Sequence, residues 1–396
     1  MKKIHTDAFK NNSIKVPFVV PNIESSDKHA IEIALKSNLL TDGPMLRKFE
    51  NGICKFTGSK YAIGVSNATS ALHLSLKSLE IGIGNEVIIP NITFVATANS
   101  VLYTGATPVL ADVNNNDINI SIKSIEANIT SKTKAIIPVH FAGKSCNMTD
   151  IQKLAKRNNL EIIEDCAHAL GTKFNKTHVG NFGKTGCFSF YPTKNLTTFE
   201  GGMVITNSHT IASKIRSMRN HGINKSLKER FSGGFPWDFD VSELGYNYRL
   251  DEIRSSLGLN QLKRLQKMNK LRQNASRYYN KQLKSIDGIE VLNDPNLKNN
   301  SCHLYVIKIL ENFAINRNKL FSMLLKNGIR TSVHYKPLDK FAFYKSKSKI
   351  YSTLKNSNEL YSQILSLPLF PQITKRELDL VINTIKDLRN PSKSIS

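Results

Sequence analysis

Three segments combine side chains that can do chemistry with short apolar runs that can hold them in place. The segment Leu160-Glu-Ile-Ile-Glu-Asp-Cys-Ala-His-Ala-Leu-Gly171 delivers Asp165 to the end of a buried strand, with His168 three residues later. A carboxylate there can pair with a protonated ring nitrogen, and His168 can face the same ring. A helix-capping Asp and a hydrogen-bonded core His also explain these residues. The segment Gly186-Cys-Phe-Ser-Phe-Tyr-Pro-Thr-Lys-Asn-Leu-Thr-Thr-Phe-Glu-Gly-Gly202 carries Lys194 in a polar turn between two strands, flanked by Pro192, Asn195 and a Gly-Gly pair. Most lysines are solvated surface charges. One that is partly desolvated and beside another cation has a lowered pKa and a free amine for imine formation. Ser189, five residues earlier, is within reach of a phosphate. The segment Gly64-Val-Ser-Asn-Ala-Thr-Ser-Ala-Leu72 passes from strand to helix through small polar residues. That puts free backbone N–H groups and the Thr69 and Ser70 hydroxyls at a helix N-terminus, where an anion can bind. An ordinary N-cap also explains it.

The elements that must position these residues follow from hydrophobic patterning. Between residues 61 and 206, short apolar runs alternate with amphipathic stretches. Strands are expected at 62–66, 86–90, 108–112, 135–139, 161–164, 187–190 and 203–206, and helices at 70–79, 95–103, 121–129 and 149–158. Such alternation predicts an α/β domain with a mainly parallel sheet, whose ligand sites lie at the carboxyl ends of the strands, where the three segments fall. Near Leu250 the pattern changes to one long helix from Asp251 to about Leu283. A strand at 302–309 and helices at 317–327 and 375–388 then suggest a smaller α/β domain. The reading is a large domain over 41–250, a small domain over 251–396, and a first segment, 1–40, that packs with the small domain or bridges the two. The polar tail from Asn390 is expected to fray.

Composition excludes several classes. At 396 residues with 40% hydrophobic and 22% charged side chains, the chain is globular in type and long enough for a large and a small domain. No apolar run approaches the roughly 20 residues of a membrane helix, and Pro17 and Pro21 break the apolar stretch a secretory signal would need. Five scattered cysteines (Cys54, Cys146, Cys166, Cys187, Cys302) contain no CxxC pair, which argues against a disulfide framework and fits a reducing cytoplasm. Cys166, His168 and Cys187 match no zinc spacing, so small buried thiols, and no metal, are expected. The net charge of +24 is spread along the chain and not packed into an arm, so no nucleic-acid role is expected; a milder effect is attraction of a doubly negative ligand.

With these segments together, the chain resembles the DegT/DnrJ/StrS family of nucleotide-sugar aminotransferases, from about Leu40 to Leu265 and more weakly at both ends. The Lys194 segment is the most specific part of the match. The resemblance implies the aspartate-aminotransferase-like fold (PLP fold type I), with a mainly parallel seven-stranded sheet and a smaller C-terminal α/β domain. It implies pyridoxal 5'-phosphate (PLP) as cofactor and Lys194 as the Schiff-base residue. Asp165 then binds the pyridinium nitrogen, Ala68, Thr69 and Ser189 hold the phosphate, His168 lies near the ring hydroxyl, and Phe94, in Pro90-Asn-Ile-Thr-Phe94, stacks on the ring face. In family members the stretch Glu243-Leu-Gly-Tyr-Asn-Tyr-Arg-Leu-Asp-Glu252 reaches the neighbouring subunit's site. Either Asn247 or Arg249 would then touch the other chain's phosphate or substrate, and a homodimer follows. Leu40-Thr-Asp-Gly-Pro44 and Val333-His-Tyr-Lys-Pro-Leu338 resemble segments on the sugar-nucleotide side, which makes His334 and Lys336 substrate-binding candidates.

The reaction so implied moves an amino group, with L-glutamate as donor, onto a nucleotide-linked keto sugar for glycan or polysaccharide synthesis. Thr197-Thr-Phe-Glu-Gly-Gly202 resembles members that aminate C4 of 4-keto-6-deoxy sugars, and Lys194 argues against the relatives that carry histidine there and dehydrate the sugar instead. A PLP enzyme on a non-sugar substrate and a non-catalytic regulatory protein on the same fold are the alternatives.

Overall fold

A computed structural model describes residues 14–223, 225, 235, 237–292 and 297–389; the tail from Asn390 lies outside them. Eight helices set the frame: α1 (Ser25–Leu35), α2 (Pro44–Thr57), α3 (Ala68–Ser78), α4 (Val95–Tyr103), α5 (Ile122–Ala127), α6 (Met148–Arg157), α7 (His209–Met218) and the long α8 (Glu252–Leu283). Between them run β1 (Tyr61–Val65), β2 (Glu86–Pro90), β3 (Thr107–Ala111), β4 (Thr133–Ile136), β5 (Glu161–Asp165), the hairpin β6 (Lys173–Phe174) and β7 (Thr177–His178), β8 (Thr185–Ser189) and β9 (Gly202–Thr206).

Seven of these strands form one sheet in the order β1-β9-β8-β5-β4-β2-β3. Every pairing is parallel except those of β9, which runs antiparallel to both β1 and β8. The reason is local: no helix separates β8 from β9, and a parallel neighbour would need a crossover of a dozen or more residues, usually helical. The strand expected at 135–139 forms over Thr133–Ile136, because Pro138 has no N–H to extend the ladder. Most residues of the inner strands are buried, and Glu86–Pro90 and Gly202–Thr206 are buried at every position, as a sheet covered on both faces requires.

A second, antiparallel sheet contains β10 (Ile289–Val291), β11 (Tyr305–Ile309) and β12 (Ile364–Leu367). The strand expected from 302 begins three residues later. Residues 301–303 turn toward the large sheet instead, where Ser301 N–H donates to Thr172 Oγ1 at 3.1 Å and His303 N–H to Ala142 O at 3.0 Å. Helices Arg317–Lys326 and Lys375–Arg389 cover this sheet.

The 32-residue helix α8 serves both cores. At 1.5 Å per residue it spans about 48 Å. Leu265 and Met268 pack with Phe49, Phe188 and Phe190 of the large sheet's layer, whereas Ala275, Tyr279 and Leu283 pack with Tyr305, Ile307 and Leu365. The first described residues also join the second core, where Val16 pairs with Ile329, while α1 lies against α8 through buried Asp27, which accepts from Asn260 at 2.9 Å and from Arg264.

Candidate active site

The strand order gathers the chemistry-bearing residues along one edge of the large sheet. β1, β5 and β8 run the same way, so their last residues, Val65, Asp165 and Ser189, share that edge, and β9 starts there at Gly202. Gly202 pairs with Val65 on one side and Ser189 on the other, which sets Ser189 next to the turn into α3. A Cβ on Gly202 would lie 2.4 Å from the Asn67 carbonyl carbon, so only glycine lets the N-terminus of α3 come this close.

Asn67 caps α3, its side chain accepting from Ser70 N–H at 2.9 Å. The Ser70 hydroxyl is buried and hydrogen-bonds Asn67 Oδ1 and Ser66 Oγ, so it belongs to the cap and does not face an anion as expected. Ala68 and Thr69 occupy the first turn, whose N–H groups have no partner within a helix. With Ser189 at the end of β8, across Gly202 from this turn, the donor set fits a phosphate.

Asp165 closes β5 and is buried. Its Oδ1 accepts from Ala167 N–H at 3.1 Å and its Oδ2 from the Thr97 hydroxyl at 2.9 Å. No helix starts behind it, which removes the capping alternative. Burial raises its pKa, opposed by those two hydrogen bonds and by Lys194. Lys194 sits in the turn between β8 and β9, its N–H donating to Tyr191 O at 2.9 Å. Burial lowers its pKa from 10.5 to about 8. The neighbouring charge is the opposite of the one expected: it is the Asp165 carboxylate, not a cation, and it resists the drop. Desolvation alone frees the amine.

His168 is buried, its ring 4.4 Å from that of His303 and tilted 39° to it, with its Nε2 3.0 Å from the Tyr335 hydroxyl. Burial, then the Lys194 charge, holds its pKa well below the usual histidine range, so it is neutral. Phe94 is the N-cap of α4, 56% exposed, with its ring 5.7 Å from that of Tyr335. His334 lies over Phe18 at 5.5 Å and hydrogen-bonds Ser366 Oγ at 2.9 Å; burial pushes its pKa to about 3. Lys194, His303, His334, Tyr335 and Phe18 line one small cavity of about 50 Å³.

Three sequence candidates stand apart from this cavity. Lys336 is exposed and its ammonium rests 4.6 Å over the Phe341 ring. Asn247 is exposed, and Arg249 donates to Asn220 Oδ1 at 2.9 Å in a separate groove of about 770 Å³, also lined by Arg47, Lys214 and Arg219. The backbone explains the division. Tyr246 and Tyr248 stack on each other 5.1 Å apart and against His73, so Asn247, between them in an extended run, faces the other way. The segment Leu40–Pro44 is docked on α8, where the buried Glu252 carboxylate accepts from the N–H groups of Gly43, Met45 and Leu46.

Sequence reasoning missed Thr97, Asn195, His303 and Tyr335. Tyr335 and Asn195 lay inside motifs already singled out; Thr97 sits one turn after Phe94; His303 carries no local signal. Cys166, His168 and Cys187 do not form a metal set. Among the described residues, His140, Glu164 and Cys166 are the group with ligand atoms close together, and the Glu164 oxygens are already engaged: Oε1 accepts from Phe182 and Gly183 N–H, and Oε2 from Gly180 N–H, each at 2.7 Å, and from His140 Nε2 at 3.0 Å.

The comparisons with known proteins bear on this arrangement as a whole. The pattern of the DegT/DnrJ/EryC1/StrS aminotransferase family matches residues 21–386. The chain belongs to that family. Among the relatives, it is 38% identical over 368 residues to the UDP-4-amino-4,6-dideoxy-N-acetyl-β-L-altrosamine transaminase of Campylobacter jejuni, covering 92% of this chain and 95% of that one. Among solved structures, PseC of Helicobacter pylori, an aminotransferase involved in the biosynthesis of pseudoaminic acid, is similar with a TM-score of 0.87 and 34% identity, over 95% of this chain and 99% of that one. A sugar aminotransferase of Streptococcus pneumoniae, Spr1654, in its PMP form, has the same TM-score at 28% identity, over 95% and 99%. The fold is therefore PLP fold type I, as the resemblance implied, and DegT/DnrJ/EryC1/StrS aminotransferases work with PLP. The residues present fit that cofactor: a glycine-cleared helix N-terminus for its phosphate, a buried carboxylate with acceptor capacity left for its ring nitrogen, and a desolvated amine.

Proposed function

We propose that this protein transfers an amino group from L-glutamate to C4 of a nucleotide-linked 4-keto-6-deoxy sugar. The observation that carries the reading is Lys194, desolvated to a pKa of about 8 in the turn after β8, within electrostatic reach of the buried Asp165 that ends the adjacent β5. The sugar and the C4 position are supported by the 4-amino-4,6-dideoxy sugar named in the Campylobacter relative's activity and by Thr197-Thr-Phe-Glu-Gly-Gly202.

Bound PLP supplies an electron sink for the negative charge left when a proton leaves carbon. Asp165 holds a proton at the ring nitrogen, its carboxylate fixed by Thr97 and Ala167. Ala68, Thr69 and Ser189 hold the phosphate, and Phe94 and His168 border the ring. Lys194 binds the cofactor at rest; once displaced by the donor, its amine is the base that takes the proton from the donor's α-carbon and returns one to the sugar carbon that receives nitrogen. A pKa of about 8 leaves a useful fraction of that amine neutral near physiological pH. His334 and Lys336 contact the sugar nucleotide.

The protein acts as a homodimer in which Asn247 or Arg249 enters the partner's site. The outward-facing Asn247 and the exposed Phe235, Trp237 and Leu244 nearby support this. Sedimentation equilibrium giving the 44.4 kDa monomer for a fully active sample would contradict it. The five cysteines, none of them in a disulfide, are consistent with work in the cytoplasm. The test of function is a screen of purified protein with glutamate and UDP-, dTDP- or GDP-linked 4-keto-6-deoxy sugars. One of them should yield a 4-amino sugar with stoichiometric 2-oxoglutarate. Turnover of free amino-acid and keto-acid pairs, with no sugar aminated, would overturn the reading.

A further inference from the structure

The residue after Lys194 makes contacts that neither the phosphate grip nor the ring pairing requires. Asn195 is 6% exposed and its amide reaches two distant parts of the chain. Nδ2 donates to Ser301 O at 2.7 Å and to Asn269 Oδ1 of α8 at 2.7 Å, and Oδ1 lies 3.1 Å from His303 Nδ1. The orientation is dictated by chemistry. Ser301 O can only accept, so the atom facing it is the NH2 group. Asn269 also presents its oxygen, because its own Nδ2 donates to Leu170 O at 3.0 Å. Asn195 Oδ1 is thus an acceptor, and His303 Nδ1 carries the proton it receives. The His303 ring in turn packs against that of His168, and His168 meets Tyr335.

We propose that Asn195 is the positioning residue for Lys194: its amide ties the lysine's turn to α8 and to the segment entering β11, and so fixes where the amine sits. The inference rests on Lys194 being the reactive amine. Nothing else in the turn reaches so far. Thr197 and Thr198 bond back to Phe190 within the turn, and the contact of Thr197 N–H with Gln261 is long at 3.5 Å. The charged and titratable groups around Lys194 are Asp165, His168, His303, His334 and Tyr335, with the three histidines and the tyrosine kept neutral by burial. A displaced Lys194 would trade this desolvated slot for solvent. Losing Asn195 would also leave Ser301 O, Asn269 Oδ1 and the His303 N–H without their partner, a cost in stability that a purely structural role would share. The test must therefore read the lysine itself.

Competitive acetylation with mass-spectrometric detection reports the titration of Lys194 in cofactor-free protein. In Asn195→Ala the titration should move up by about one unit, a roughly five-fold loss of Lys194 reactivity at pH 8 relative to surface lysines. In the cofactor-loaded protein, kcat should fall about 10- to 100-fold while KM for the sugar nucleotide changes far less. His303→Phe keeps a ring against His168 but removes the Nδ1 proton; it should shift Lys194 in the same direction by a smaller amount, and it decides the matter if Asn195→Ala does not fold. A lower melting temperature with Lys194 labelling and kcat within about two-fold of wild type would overturn the inference and leave Asn195 a structural residue. Borohydride fixing the cofactor to a different lysine in the wild-type protein would instead overturn the functional reading on which the inference rests.

Discussion

Glu164 and Asp165 are consecutive, both buried at the end of one strand, yet they are furnished in opposite ways. Glu164 has four donors on its two oxygens, three of them N–H groups of residues 180–183 and the fourth His140. Asp165 has two, Ala167 N–H and the Thr97 hydroxyl, and burial raises its pKa. A carboxylate accepts about four hydrogen bonds, so Glu164 is saturated and Asp165 has capacity left. The saturated group pins the 180–183 turn to the sheet. The unsaturated one is costly unless a cation meets it, which is what a site for a protonated ring requires.

This contrast makes opposite predictions for two amide substitutions. Asp165→Asn should cost roughly a thousand-fold in turnover, because a neutral amide cannot hold a proton on the ring nitrogen. In cofactor-free protein, however, it should not destabilise at pH 7. Asp165 has a folded pKa above the unfolded value of 3.8, so the wild type loses stability as pH rises through that folded value, and the amide escapes the loss. Melting temperatures of both proteins from pH 7 toward pH 4 should show the variant's relative advantage shrinking. Near-normal turnover, or a large stability loss at pH 7, would make Asp165 a structural residue like its neighbour. Glu164→Gln should do the reverse, lowering stability by about 3 kcal/mol in denaturant titrations, since its NH2 must face two donors. Its kcat per folded chain should fall by less than about ten-fold.

A smaller effect comes from the histidines. His168 and His303 are held well below the ordinary value of 6.5, His73 and His178 at about 4, and His334 at about 3, in each case chiefly by burial. Each is neutral in the fold. Below pH 6.5 the unfolded chain binds protons the fold refuses, so their contribution to stability declines as pH falls from 6.5 toward 3–4. The melting temperature of cofactor-free protein should be lower at pH 5.5 than at pH 7.5; an equal or higher value would mean these rings charge in place.

The same contrast shows what was legible in the sequence. Asp165 could be read because it ends an apolar run, Lys194 because it lies in a polar turn between two such runs, and the seven strands because buried strands are largely unbroken apolar runs. Helix α2 carried signals that went unread, Pro44 at its first position and Gly58 past its end with φ 77°. Saturation was not readable, because the donors to Glu164 come from a turn 16–19 residues away and the Thr97 hydroxyl from another helix. His303, more than a hundred residues beyond Asn195, is placed only by the approach of residues 301–303 to the large sheet. The sign of the charge beside Lys194 failed for the same reason: neighbours in space are set by strand order, and the sequence shows only neighbours along the chain.

Reduction with borohydride tests the central claim most directly. The purified protein with PLP should be yellow, the band should bleach on reduction, and peptide mapping should find the cofactor covalently attached at Lys194, with Lys194→Ala showing neither attachment nor turnover. Attachment at any other lysine, or full turnover by Lys194→Ala, would contradict the account.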